Sequence, residues 1–162
     1  MTEKQIQINY KEYNSAEETA NHYWRLLDEA VKAAESSYAP YSNFNVGAAV
    51  LMENGEIVTG SNQENAASPS GLCAERVALF AAHHQWPGVA VKAIAIIGKS
   101  GGAITGELTY PCAACIQVML ESQKRSGKPL EIVVGSAGKI QVFPSVDALL
   151  PFSFGNLPGN RP

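Results

Sequence analysis

The chain has 162 residues, enough for one domain with its own core and short for two. With 46% hydrophobic and 17% charged residues it groups with folded globular chains, and a net charge of −3 without any run of Lys or Arg argues against a polynucleotide partner. No stretch reaches the roughly 18 apolar residues of a membrane span, and MTEKQIQINYKEYN lacks the apolar centre of a signal peptide. Three cysteines is an odd count for a disulfide framework, so a reducing, cytoplasmic setting is expected, with the thiols free or metal-bound.

Residues 1–14 read as a polar leader and residues 15–162 as a single domain. Ser15 with Glu18 has the form of a capping box. Ala20, Trp24, Leu27, Val31, Ala34 and Tyr38 then recur at helical spacing, which predicts a helix from about 16 to 38, broken at Pro40. FNVGAAVLME and EIVTGSN on either side of Asn54-Gly55 predict a hairpin with a tight two-residue turn. LCAERVALFAAHHQW carries no internal Gly or Pro and reads as a second helix, and VAVKAIAIIG as a buried strand. PCAACIQVMLESQ predicts a third helix with Pro111 at its first position. PLEIVVGS adds a fourth strand and KIQVF a short fifth. The alternation of strands and helices implies an α/β sheet containing parallel pairs, with helices on its faces.

Chemistry concentrates on three thiols: Cys73 in GLCAER, and Cys112 and Cys115 in PCAAC. Both groups fall at the start of a predicted helix, where unpaired N–H groups and the positive end of the dipole favour thiolate. A CxxC pair alone is compatible with redox chemistry, although thioredoxin-like motifs follow the first strand of a βαβ unit and this one sits late. A structural zinc site needs a fourth protein ligand. His83 would stand about 15 Å along the helix axis from Cys73, His84 lies one residue further, and His22 is on the first helix, so all three read as surface or core histidines. Three sulfurs leave a coordination position open for water, which is the arrangement of a catalytic zinc. Glu75, in the same first turn as Cys73, is by itself a favourable acid at a helix N-terminus. Beside an open zinc it becomes a proton shuttle. Arg76 shares the helix face of Cys73. It is either a solvated arginine or a guanidinium that donates to thiolate sulfur and offsets the negative charge of three thiolates.

The pattern Cys73-Ala74-Glu75 followed by PCAAC resembles the zinc deaminase signature, with Cys73 standing where some members use histidine. APYSNFNVGAAV, NQEN and CAERVALF narrow the resemblance to the small homotetrameric cytidine deaminases, over about residues 36 to 155. The resemblance implies one Zn²⁺ per subunit, and Asn62 and Glu64 on the ribose hydroxyls. It also implies Phe44 against the pyrimidine ring, and the backbone at Ala74 with the Glu75 side chain on the base edge. LLPFSFG is similar to the family's LLPxxFG, which makes Phe154 an aromatic wall for a neighbouring subunit's site. The plain alternatives are a core role for Phe44, ordinary loop polarity for Asn62 and Glu64, and Phe152 and Phe154 covering an edge. Two features depart from the family: Ser68 stands where many members carry tyrosine, which bears on sugar preference, and the leader is longer than usual.

The resulting expectation is a three-layer α/β/α sandwich with a mixed five-stranded sheet, assembled as a tetramer, that hydrolyses the 4-amino group of cytidine or deoxycytidine in pyrimidine salvage. Its partner is a small nucleoside rather than nucleic acid or membrane. Rival readings are a deaminase of a modified cytosine nucleoside such as blasticidin S, a polynucleotide deaminase, and a zinc-stabilised module without activity.

Overall fold

The architecture follows from alternation along the central strands. The computed structural model describes residues 1–155, so the end of the expected domain, 156–162, lies outside the described residues. In chain order the elements are β1 (Lys11–Tyr13), α1 (Asn21–Ala34), β2 (Phe44–Met52), β3 (Ile57–Ser61), α2 (Ala74–Gln85), β4 (Val91–Ser100), β5 (Ala103–Ile104), α3 (Ala113–Ser126), β6 (Glu131–Gly135) and β7 (Ile140–Phe143). On β2, Ala48, Val50 and Met52 point to one face, where they pack with Ala78 and Leu79 of α2 and with Met119 and Leu120 of α3. Ala49 and Leu51 point to the other, where α1 contributes Leu26, Leu27, Ala30 and Ala34. Strand β4 is buried on both faces from Ala93 to Ile97, as a central strand between two helical layers must be. The fold is therefore the expected α/β/α sandwich.

The sheet runs β1-β7-β6-β4-β2-β3, with β5 paired to β4. Only β4 and β6 are parallel, joined through α3; the remaining pairs are antiparallel. The sheet is mixed, as expected, but among the described residues has seven strands rather than five. The two additional strands are too short to leave a periodic signal. One is β5, which folds back on β4 across Gly101-Gly102, and the other is β1, which lies inside the leader and pairs with β7.

Local expectations differ at three further points. The first helix begins at Asn21, and residues 16–18 form a separate 3₁₀ turn. Glu18 accepts from the Asn14 N–H at 3.1 Å instead of closing a capping box, and Trp24 and Tyr38 of the predicted stripe are exposed. The β2–β3 connection is a four-residue loop, Glu53 to Glu56. The Met52 N–H bonds the Glu56 carbonyl at 2.9 Å, and Gly55 alone takes positive φ, at 88°. Finally, Pro111 precedes the N-cap of α3 rather than occupying its first turn, and Cys112 is the N-cap.

One close approach positions the site. A Cβ on Gly60 of β3 would lie 2.5 Å from the Ala78 nitrogen and 2.8 Å from the Ala74 carbonyl oxygen. The missing side chain lets α2 lie directly on β3, which sets the height of Cys73 and Glu75 at its start.

Candidate metal centre

Cys73 is the N-cap of α2 and Cys112 the N-cap of α3, and Cys115 follows within the first turn of α3. Two helices on the same face of the sheet thus aim their N-termini at one point. The Cys73 and Cys112 sulfurs are 3.9 Å apart, those of Cys112 and Cys115 3.5 Å, and all three lie within 4.8 Å of one another. Tetrahedral zinc with sulfur ligands at about 2.3 Å requires sulfurs about 3.8 Å apart, which the Cys73–Cys112 and Cys112–Cys115 spacings match closely. Among the described residues no histidine joins them. His83 instead bonds the Ser122 hydroxyl at 2.9 Å, linking α2 to α3.

The surrounding charges are arranged for thiolate. The neighbouring Cys115 thiol and the Arg76 guanidinium, 3.7 Å from the Cys73 sulfur, together hold Cys73 down to about 5. Cys115, buried beside Cys73, is pushed up. Arg76 stands beside the Cys73 sulfur, and its Nε is buried without a hydrogen-bond partner among the described residues. Glu75 is only 4% exposed, in the first turn of α2, and burial raises its carboxyl above the usual range. A buried acid that can carry a proton next to three thiols is what general acid–base work requires.

Beside the thiols a cavity of about 520 Å³ opens, with Tyr41, Asn62, Glu64, Ser68, Cys73 and Arg76 in its lining. Asn62 and Glu64 thus stand on the same cavity as Cys73, with Ser68 on its rim. Both are engaged by their own chain. The Asn62 amide oxygen accepts from the Val46 N–H at 2.8 Å and from the Ser37 hydroxyl, and its nitrogen donates to the Phe44 carbonyl at 2.9 Å. Glu64 accepts from the Tyr41 N–H at 2.8 Å, the Ser42 N–H at 3.3 Å and the Ser42 hydroxyl at 2.6 Å. Ser37, Tyr41 and Ser42 are not among the site residues the sequence points to, where APYSNF reads as a helix break and as part of the family resemblance. The short polar residues around Pro40 were the available signal for a turn that needs anchoring.

Phe44 is half-buried at the start of β2, on the face that carries the thiols, with its ring over Gly98 of β4. Ala74 is fully buried against Gly60. Phe154 lies away from its own chain's cavity. The Gln117 amide donates to its carbonyl at 2.8 Å along α3, while the side chain remains 71% exposed.

Three sulfurs gathered at two convergent helix N-termini beside a buried acid, over a mixed sheet, form the class of site that suits a catalytic zinc with a general acid–base at its side. The sequence model of the cytidine and deoxycytidylate deaminase zinc-binding region matches residues 20–127, and the chain belongs to this family. Among similar proteins, the cytidine deaminase of Halalkalibacterium halodurans is 42% identical over 130 residues, 80% of this chain and 91% of that protein. The cytidine deaminase of Mycobacterium tuberculosis is 40% identical over 99 residues, 60% of this chain and 70% of the other. The crystal structure of cytidine deaminase from Burkholderia pseudomallei superposes with a TM-score of 0.70 at 39% identity, over 84% of this chain and all of that one.

Proposed function

We propose that the chain hydrolyses the 4-amino group of cytidine and deoxycytidine, giving uridine or deoxyuridine and ammonia, with Cys73, Cys112 and Cys115 holding one zinc ion. The observation that carries this reading is the pairing of a zinc-spaced sulfur triad with the buried carboxyl of Glu75 at the start of the same helix as Cys73. When bound, zinc supplies the Lewis acidity that makes water a nucleophile near neutral pH. Glu75 would accept a proton of the attacking water at its carboxylate and pass it to ring N3 as the water oxygen bonds C4, then carry the second proton to the amine as the C4–N bond breaks. Burial keeps the proton on this path by excluding competing solvent. Arg76 balances thiolate charge through its contact with Cys73. Asn62 and Glu64 meet the ribose hydroxyls, Phe44 the pyrimidine, and the Ala74 backbone the base edge.

The proposal extends to the assembly and its setting. Phe152 and Phe154 are 84% and 71% exposed, Phe80 on α2 is half exposed, and such aromatic area on a chain of this size favours subunit contacts. We read the active form as a cytoplasmic homotetramer in which Phe154 completes a neighbour's site. No helix of the described residues is long and apolar enough to cross a membrane.

The deciding assay follows the loss of cytidine ultraviolet absorbance with zinc measured on the same sample. Glu75→Ala is expected to keep its zinc and lose deamination by about 10²–10⁴-fold. Near-normal turnover in that variant would reject the assignment of Glu75. Zinc-loaded wild-type protein that leaves cytidine and deoxycytidine unchanged would reject the activity.

A further inference from the structure

The leader strand reaches the metal centre through β7. In register, Glu12 lies opposite Gln141, and the period of two puts Tyr10, Glu12, Gln141 and Phe143 on the face that carries α3. Two threads leave this face for one residue, Tyr110. Along the first, the Gln141 amide donates to the Glu12 carboxylate at 2.7 Å and accepts the Tyr110 hydroxyl at 2.6 Å, while Lys139 stands 3.5 Å from the other Glu12 oxygen. Along the second, the Tyr10 ring lies 5.3 Å from Phe143, and Phe143 meets the Tyr110 ring edge-on at 6.4 Å. Tyr110 is joined to Cys112 by a single residue, the buried Pro111.

Each link has a physical reason to be stiff. Gln141 is 6% exposed, so both ends of its amide need partners. A carboxylate only accepts, so Glu12 turns the amide nitrogen toward itself and leaves the amide oxygen for Tyr110. Proline has one fixed backbone angle and confines the residue before it to extended conformations, so few soft rotations separate Tyr110 from the sulfur of Cys112. Residues 10–13 precede the family match, which covers residues 20–127.

We propose that the leader strand is a positioning element for the metal centre: Glu12 through Gln141, and Tyr10 through Phe143, hold Tyr110 so that Cys112 and Cys115 stand at zinc-ligating geometry. The proposal rests on the reading that these two cysteines ligate zinc.

The test uses the zinc-loaded full chain and measures the rate of zinc loss to an excess of a metallochromic chelator, at one temperature below unfolding. Glu12→Ala and Tyr110→Phe are expected to speed release about tenfold. Glu12→Gln keeps an acceptor for Gln141 and is expected to restore a rate close to wild type. Val91→Ala, a buried substitution on β4, reports how far general destabilisation alone affects release, and is expected to leave the rate unchanged. Wild-type release rates in Glu12→Ala and Tyr110→Phe, or equal acceleration by Val91→Ala, overturn the brace while leaving the zinc reading intact. A wild-type chain that takes up no zinc overturns both.

Discussion

Asn62 and Glu64 are occupied before any substrate arrives. A carboxylate offers about four lone-pair sites, and three donors of the segment at residues 41–42 already point at Glu64. These residues therefore build the cavity wall first and can meet a sugar only through what capacity remains. The Ser42 hydroxyl and the Tyr41 N–H hold the Glu64 carboxyl below the usual range. The folded state thus favours the charged form. Its stabilisation is present above the ordinary carboxylate range and is lost as pH falls through the depressed folded value. Glu64→Gln should accordingly show a smaller drop in urea midpoint between neutral and acid pH than wild type. Its KM for cytidine should rise about tenfold, as for the loss of one charged hydrogen bond. An unchanged acid limb would remove Glu64 as the anchor of this turn.

At the scale of elements, the contact between α2 and β3 matters most, because α2 carries Cys73, Glu75 and Arg76 in one turn. Gly60→Ala would push a methyl group into the Ala78 backbone, which cannot swing away as a side-chain tip could. The expected cost is about 1–3 kcal/mol, visible as a lower melting temperature, with weaker zinc retention because Cys73 shifts relative to α3. A Gly60→Ala protein with wild-type melting and zinc content would mean that the helix is not seated by this approach. Helices α2 and α3 were readable from the sequence because their causes are local: an apolar run without Gly or Pro, and a proline just before a start. The helical period predicts too long a first helix, since Trp24 and Tyr38 match it yet face solvent. Periodicity records apolar spacing and cannot say which matching side chains find a partner.

For the whole molecule, the proposed tetramer is checked by mass and by the site it would share. Sedimentation should give a particle four times the 17.3 kDa mass of one chain. Phe154→Ala should preserve that mass while raising KM about tenfold, the effect expected from losing a buried aromatic contact across subunits. A monomer with full activity would reject the shared site. The sequence by itself determined the sulfur triad, the acid and arginine beside it, and the layering of helices on a mixed sheet, because each depends on residue type within a few positions or on a strong apolar period. Only the tertiary structure decided that residues 11–13 of the leader form a strand, that Asn62 and Glu64 are wall as well as ligand candidates, and that Tyr110 meets Gln141 and Phe143 of β7. Those features are pairings between residues distant in the chain, and nothing in a short window specifies which distant group will satisfy a given donor or edge.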